Sequence, residues 1–317
     1  MAVLGYGHQG EAQALNLRDA GLTVVVGARP GHAAEERARA AGFPAFPLAE
    51  AARRAGVVAC LLPDEALPAL WSEISGALAG GAALVFAHGF NLLYSDLALP
   101  PGSDVVLVSP TGPGRVLRAL HGRGVPLPAY LAVHREASGG AWGLAEEYAR
   151  RVGLAPLLRT TVREETEVDL FGEQAVLCGG MNALVTAAFD TLVEGGYAPE
   201  IAYLECVHQL KYLADLLHER GVAGMRAGIS GTARFGDLTR GARVVGGPSR
   251  AAMREILDEI RSGAFAREWA AEVAAGGGRI EQLARRAAEH PIERARRRSL
   301  GEEGGPAAGT PAGRAPG

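Results

Sequence analysis

The sequence is poor in the features that mark secreted, membrane and nucleic-acid-binding proteins. It has three cysteines in 317 residues, without the spacing of a metal or redox motif, which favours a reducing compartment over a disulfide-bonded scaffold. The formal net charge is only -3, so we expect neither nucleic acid nor a membrane as a partner. There is no signal peptide and no uninterrupted apolar run of about 18 residues, so the expected location is cytoplasmic.

The first residues form a nucleotide-binding pattern. An apolar strand at residues 1–4 leads into G-x-G-x-x-G, followed by a helical segment and a second strand at residues 22–26. This order is typical of dinucleotide-binding folds, in which the glycines permit a tight turn, close approach of a pyrophosphate and close packing of helix on strand. The predicted cofactor-binding residues of this turn are Gly5, Tyr6, Gly7, His8, Gln9 and Gly10.

The loop after the second strand bears on which nicotinamide cofactor binds. In this fold an acid near the end of that strand bonds the ribose hydroxyls of NAD, whereas an arginine can meet the 2′-phosphate of NADP. The first polar residue here is Arg29, with Glu35 and Glu36 further along. Arg29 is therefore a predicted cofactor-binding residue that favours NADP. The two glutamates, or an Arg29 that is merely exposed, leave NAD open.

Strands and helices alternate up to about residue 160. The further predicted strands span residues 57–62, 82–86, 104–108 and 129–133. Such alternation predicts a doubly wound, Rossmann-type parallel sheet with ligands at the carboxyl ends of the strands. His88 and Thr111 fall at such ends, and His88 is a predicted site residue, with a histidine bonded only to backbone as the alternative. Because the first strand begins so close to residue 1, we expect that an N-terminal segment is missing.

The pattern changes near residue 160 to helical periodicity without a clear strand. We therefore predict an α/β domain at residues 1–161 followed by an all-α domain at residues 162–293. Within the all-α domain, residues 201–219 are expected to form one long helix. Residues 294–317, rich in Arg, Gly, Pro and Ala, are expected to be a disordered tail.

Two carboxylates stand out in a long helix predicted over residues 164–196. Asp169 and Glu173 are four residues apart, so they share one face of the helix. The helix is apolar nearly all round, which predicts that it is buried. Buried carboxylates need a cation to compensate them, and their oxygens suit a hard divalent cation. The alternative is an exposed pair or a pair matched by arginines. Glu205 and Gln209 form a second polar pair with the same spacing.

The motifs resemble those of the ketol-acid reductoisomerases of the short, class I type. They run in the family's order from about residue 3 to residue 293: GYGHQG, NLRDAG, LLPDE, AHGFN, GRGVP, EETEVDLFGEQAVLCGG, LVEGGYAPEIAYLEC, MRAGIS, GAFAREW and HPIE. The helix sequence DLFGEQAVLCGG makes the resemblance specific, because it is not a general feature of nucleotide-binding folds.

The resemblance implies an NADPH- and Mg²⁺-dependent step of branched-chain amino acid synthesis, in which a 2-acetohydroxy acid undergoes alkyl migration and the resulting 2-keto acid is reduced. It implies that Asp169 bridges two Mg²⁺ ions, Glu173 binds one and Glu205 lies near the second. His88, Glu205 and Ser230 are the implied catalytic residues, with Ser230 contacting the substrate carboxylate. Helical domains of two subunits interleave in the family, so a homodimer or larger homo-oligomer is expected, with Glu205 and Ser230 supplied by the second subunit.

Two positions depart from the family pattern. Thr111 stands where the family has a lysine, and Gln209 stands where it has a second glutamate. One positive and one negative charge are thereby lost, so the net local charge is conserved. Residues 32–34 also replace serines that usually meet the 2′-phosphate, which leaves NADP or NAD open. The sequence permits an active reductoisomerase, a relative that reduces a different 2-keto acid without migration, or a catalytically silent nucleotide-binding subunit.

Overall fold

The computed structural model describes residues 1–302. The chain divides into two compact units, with the boundary between Leu170 and Phe171. The sequence analysis places this boundary at residue 161. The later position follows from the packing of the next helix, whose first residue, Val162, lies in the apolar core of the N-terminal unit.

An eight-stranded sheet organises the N-terminal unit. The strands are β1 (Ala2–Leu4), β2 (Val25–Gly27), β3 (Ala45–Phe46), β4 (Val57–Cys60), β5 (Ala83–Phe86), β6 (Val105–Pro110), β7 (Leu127–Arg135) and β8 (Leu154–Arg159). Their order is β3-β2-β1-β4-β5-β6-β7-β8. All neighbours are parallel except β6 and β7, which are antiparallel.

Helices cover both faces of this sheet. They are α1 (His8–Asp19), α2 (Ala33–Ala40), α3 (Leu48–Arg53), α4 (Leu67–Ala77), α5 (Phe90–Tyr94), α6 (Gly114–His121) and α7 (Ala141–Val152). Side chains alternate between the faces, so that Val106 joins the core under α1, α6 and α7 while its neighbour Val105 joins the core under α3 and α4. The predicted doubly wound, Rossmann-type sheet is confirmed.

Two strands, β3 and β8, were not predicted from the sequence. The first has only two residues, and the second contains Pro156, which is disfavoured inside a strand. The antiparallel pairing of β7 also departs from the purely parallel expectation.

The C-terminal half is helical, and no strand follows β8 within residues 1–302, which confirms the all-α prediction. The helices are α8 (Val162–Gly172), α9 (Gly179–Glu194), α10 (Pro199–Tyr203), α11 (Leu210–Ala227), α12 (Gly231–Val244), α13 (Gly247–Arg261), α14 (Ala264–Ala274), α15 (Gly278–Ala288) and α16 (Pro291–Ser299). Two π-helical segments, Glu173–Leu177 and Leu204–His208, lie between them.

The single helix predicted over residues 201–219 is interrupted in the structure. The π-helical segment Leu204–His208 separates α10 from α11, because the Gln209 N–H bonds to the Leu204 carbonyl, five residues earlier, at 3.2 Å. The same turn holds Glu205. The prediction of one regular helix was therefore wrong at the turn that carries the second polar pair.

The prediction that residues 164–196 form a buried helix was wrong for the single chain. Val176, Leu177 and Leu184 are 53%, 61% and 50% exposed, and Phe189 is the one buried residue of α9. The stretch Val162–Glu194 is long and apolar enough to cross a membrane by length and composition alone. Within residues 1–302 these exposed apolar side chains have no covering surface.

The beginning of the predicted disordered tail is helical. Residues 294–299 belong to α16, where Ala295 is 2% exposed and packs with Phe189 and Tyr203. The Ser299 hydroxyl donates to the Glu200 carbonyl at 3.2 Å. This packing orders residues that the composition alone assigns to the tail. The remainder of that prediction, from residue 303, lies outside the described residues.

Candidate active site

The glycine fingerprint forms the turn between β1 and α1. Gly5 has a φ of 94°, and a Cβ on Gly10 would lie 2.1 Å from the Gly5 carbonyl oxygen. Only glycine fits these two positions. Gly7 precedes α1, and a Cβ there would meet nothing within 4 Å. The space at Gly7, in front of the helix N-terminus, fits a bound pyrophosphate.

Two side chains of the fingerprint are engaged by the protein itself. Tyr6 is 1% exposed and meets Phe43 edge to face. The Gln9 amide donates to the Gly112 carbonyl at 2.9 Å. Of the six predicted cofactor-binding residues of the turn, these two therefore have side chains committed to packing and to a neighbouring turn, which leaves their backbone for a nucleotide.

The loop after β2 places a cation and an anion at the ribose end of the fingerprint. Arg29 is exposed. The Gly31 N–H donates to Glu35 Oε2 at 2.8 Å, and Arg39 donates to Glu35 Oε1 at 2.7 Å. The Gly31 hydrogen bond, followed by that of Arg39, holds the pKa of Glu35 below its usual value. The Glu35 carboxylate, at the start of α2, is therefore held against the loop that also carries Arg29.

An acidic cluster lies at the carboxyl edge of the sheet. His88 follows β5, and its Nδ1 is 3.3 Å from Glu165 Oε1 and 3.3 Å from Asp169 Oδ2. Glu165 and Asp169 are one helical turn apart on α8. The Glu165 side chain is fully buried, and its Oε2 accepts from the Gly89 N–H at 3.2 Å. The structure thus joins two predicted site residues, His88 and Asp169, with a third.

Gly89 allows α8 to come this close to the sheet. A Cβ at this position would lie 2.1 Å from the Thr166 hydroxyl. That hydroxyl donates to the Val162 carbonyl at 2.7 Å and lies 3.2 Å from Glu165 Oε2. The motif AHGFN therefore supplies both the histidine and the space for the helix that carries the carboxylates.

The electrostatic balance of the cluster favours a charged histidine. Burial opposes the charge on His88, but the hydrogen bond and charge of Glu165, with the charges of Asp169 and Asp64, outweigh it and raise the pKa of His88 to about 9. Burial raises the pKa of Asp64, whose carboxylate accepts from the Asn91 amide at 2.9 Å. The neighbouring carboxylates thus favour the protonated, positively charged form of His88.

The same three residues form a donor set for a cation. The ligand atoms of His88, Glu165 and Asp169 lie within 4.8 Å of one another. The two carboxylates supply the oxygen donors that Mg²⁺ prefers, and a doubly charged ion would compensate them more fully than the imidazole does. The donor set therefore fits a hard divalent cation held mainly by Glu165 and Asp169.

The other predicted site residues lie in the C-terminal unit. Glu173 begins the π-helical segment that follows α8. Glu205 is exposed and accepts from the Gln209 amide at 2.7 Å. Ser230 is exposed at the N-cap of α12, where its hydroxyl accepts from the Ala233 N–H at 3.2 Å. All three belong to the C-terminal unit, and their site roles stay predictions.

A cavity of about 230 Å³ opens beside Glu165. Its other lining residues are Tyr130, Leu158, Arg159, Thr160, Glu164 and Val168. It gives the buried carboxylate a neighbouring space of the size of a small molecule.

Comparison with known families agrees with this geometry. Residues 1–157 match the NADPH-binding domain of acetohydroxy acid isomeroreductase, and residues 162–300 match the C-terminal domain of ketol-acid reductoisomerase. The chain belongs to the ketol-acid reductoisomerase family. The fingerprint of this ketol-acid reductoisomerase homologue is therefore a nicotinamide-nucleotide site, and the family is one of oxidoreductases that act on small acetohydroxy acids.

One solved structure gives the same family, and two more distant ones share the fold. An NADH-preferring ketol-acid reductoisomerase from an uncultured archean is 37% identical, with a TM-score of 0.92 over 95% of this chain and 93% of that one. A putative oxidoreductase from Jannaschia sp. CCS1 shares the fold at 14% identity, with a TM-score of 0.65 over 85% of this chain and 97% of that one. A semialdehyde dehydrogenase NAD-binding protein from Cupriavidus necator also shares the fold, at 17% identity. Its TM-score is 0.63 over 82% of this chain and 98% of that one.

Glu165 and Asp64 raise the pKa of His88, and the sequence analysis did not single them out. A signal for Glu165 was present, since Glu165, Asp169 and Glu173 follow one another at intervals of four on the ketol-acid reductoisomerase helix. Asp64 stands in the motif LLPDE, after β4, where strand-end position alone could have identified it.

Proposed function

We propose that this protein is a cytoplasmic ketol-acid reductoisomerase that carries out Mg²⁺-dependent alkyl migration in a 2-acetohydroxy acid and its reduction by NAD(P)H to a dihydroxy acid, in branched-chain amino acid synthesis. The observation that carries the proposal is the cluster of His88, Glu165 and Asp169 at the strand edge that also holds the fingerprint. The fingerprint follows β1 and His88 follows β5 of the same sheet, which supports a cation site close to the nicotinamide site.

In this proposal Glu165 and Asp169 would hold Mg²⁺. Bound Mg²⁺ supplies Lewis acidity to the adjacent oxygens of the substrate. Gly89 and Thr166 fix the Glu165 carboxylate through the two contacts at 3.2 Å. His88 lies 3.3 Å from both carboxylates, so it can orient them and hold a proton at Nδ1 or Nε2.

We propose further that the active unit is a homodimer or larger homo-oligomer with interleaved helical domains. The exposed apolar side chains of the C-terminal unit, such as Leu177, Leu184 and Phe235, favour burial against a second copy. Glu205 and Ser230 are exposed in the single chain. They are thus accessible to a site on another subunit.

A second candidate function is reduction of a different 2-keto acid without migration. Two observations favour it. The Thr111 N–H and hydroxyl both donate to the Pro128 carbonyl, at 3.0 and 2.9 Å, so the residue that replaces the family's lysine offers no cation. Gln209 is neutral, and its amide donates a hydrogen bond to Glu205. Both charged groups of the usual site are missing.

Assays with two substrates separate these functions. If the protein is a reductoisomerase, it will oxidise NAD(P)H with 2-acetolactate and with 3-hydroxy-3-methyl-2-oxobutyrate in the presence of Mg²⁺. Turnover of the second compound alone supports reduction without migration, and cofactor binding without either turnover supports a silent subunit. If only 3-hydroxy-3-methyl-2-oxobutyrate is turned over, the double substitution Thr111→Lys with Gln209→Glu should create activity on 2-acetolactate. If it does not, these two positions are not the cause of the missing migration step.

The loop after β2 supports NADH as the preferred cofactor. The Glu35 carboxylate is held at the ribose end by Gly31 and Arg39, where it would repel a 2′-phosphate and could accept a bond from a ribose hydroxyl. The 37% identical archaeal reductoisomerase is NADH-preferring. Against this, Arg29 is exposed in the same loop and offers a cation to a 2′-phosphate.

Glu35→Gln should shift binding toward NADPH. Loss of one negative charge beside the 2′-position is expected to lower the Kd ratio of NADPH to NADH by about three- to ten-fold. Fluorescence titration of both cofactors measures this ratio. Glu36→Gln, which removes the adjacent exposed carboxylate, is the matched control and should leave the ratio within about twofold. A wild-type protein that binds NADPH more tightly than NADH would contradict the assignment.

A further inference from the structure

A chain of hydrogen bonds runs from the core of the N-terminal unit to the turn at residues 111–114. The Tyr148 hydroxyl on α7 donates to Gln13 Oε1 at 2.7 Å. Gln13 Nε2 donates to Gln9 Oε1 at 3.2 Å, and Gln9 Nε2 donates to the Gly112 carbonyl at 2.9 Å. Tyr148 and Gln13 are 4% and 1% exposed. Three side chains thus link the buried face of α7 to the turn that follows β6.

The direction of this chain is fixed at both ends. The Gly112 carbonyl can only accept, so Gln9 must turn its NH₂ group toward it. The oxygen of Gln9 then faces Gln13, which must also present its NH₂ group. The remaining oxygen of Gln13 accepts from Tyr148, and burial raises the pKa of that phenol, which keeps it a donor. The Gly112 carbonyl therefore determines the orientation of both amides, and the Tyr148 hydroxyl donates at the other end of the chain.

The turn at the end of this chain touches the fingerprint helix. A Cβ on Gly114 would lie 1.9 Å from the His8 carbonyl oxygen, so the two backbones are in direct contact. The turn follows β6, which lies on the opposite side of β1 from β2. Because the adenosine ribose lies at the β2 side, the turn is at the nicotinamide side of a bound dinucleotide.

We propose that Gln9, Gln13 and Tyr148 are positioning residues that hold the turn at residues 111–114 against the first turn of α1, and so set the place of the nicotinamide ring. Neither Gln13 nor Tyr148 is exposed enough to touch the cofactor, so both act through Gln9 and Gly112. The role requires a bound dinucleotide but no particular substrate. It therefore stands or falls separately from the proposed reaction.

Binding of whole and half cofactor tests this role. Tyr148→Phe removes one hydroxyl and keeps the ring, and we expect the Kd for NADH to rise about three- to ten-fold. The Kd for ADP-ribose, which lacks the nicotinamide, should stay within about twofold of wild type. Fluorescence titration measures the first and calorimetry the second. Tyr197→Phe, at a tyrosine that is 61% exposed, should change neither value.

A second substitution distinguishes positioning from general loss of packing. Gln9→Leu breaks the chain at its other end, should reproduce the selective loss, and serves as the test if Tyr148→Phe does not fold. The double variant should be no weaker than the weaker single variant, because both act through one chain. Equal weakening of NADH and ADP-ribose, no weakening of either, or additive effects would each overturn the proposal.

Discussion

Asp169→Asn is expected to lower turnover by at least about 100-fold, the upper end of what loss of a supporting residue costs at metal sites. The substitution keeps the size of the side chain but removes the negative charge that faces His88 at 3.3 Å. It also leaves Glu165 as the single carboxylate of the cluster. Calorimetric titration with Mg²⁺ in the presence of NADH, together with steady-state turnover, measures the two consequences.

The control for this substitution is a carboxylate of no proposed function. Glu50 lies on α3 in an exposed pair with Arg54, and Glu50→Gln should change turnover by less than about twofold. An Asp169→Asn protein that retains its turnover and its Mg²⁺ dependence would refute the cation site. Because Asp169 is only partly buried, the variant should fold, and its unfolding midpoint provides that check.

Gly10→Ala is expected to destabilise the N-terminal unit and to abolish cofactor binding. The added Cβ would lie 2.1 Å from the Gly5 carbonyl oxygen, which belongs to the backbone of a tight turn and has no flexible side chain to move. Overpacking of this kind costs about 1–3 kcal/mol or more. Urea unfolding monitored with and without NADH gives the loss of stability and the loss of binding separately.

Gly7→Ala provides the contrast within the same turn. A Cβ at Gly7 meets no protein atom within 4 Å, and its φ of -84° is accessible to alanine. Stability should therefore stay within about 0.5 kcal/mol of wild type, while the methyl group occupies the space for pyrophosphate and weakens NADH binding at least about tenfold. A Gly7→Ala variant that binds NADH normally would show that the pyrophosphate does not lie there.

The sequence predicts the central strands of the sheet better than the strands at its edges. Helix α7, Ala141–Val152, follows β7 as the predicted alternation of strands and helices requires. Strands β4 and β5 also agree closely with their apolar runs. The edge strand β3 has too few residues to show a pattern, and the reversal of β7 depends on pairing with β6 that no local signal encodes.

The candidate site was predictable only in part for a similar reason. His88 follows a buried strand, and Asp169 stands in a specific motif, so both could be identified from the chain. Glu165 was missed because its role depends on how closely α8 approaches Gly89, a distance set by tertiary packing. The predicted burial of Leu184 failed because apolar periodicity reports that a face will be covered without stating by which molecule.

The uncovered apolar side chains of α9 bear on the life of a newly synthesised subunit. Until these side chains are covered by another surface, the chain exposes an apolar segment, and such segments are recognised by chaperones and proteases. If the cover is another copy, the fraction of folded protein will depend on the total amount made, and dilution will shorten its lifetime. The amount of folded protein in the cell would then rise more than in proportion to the rate of its synthesis.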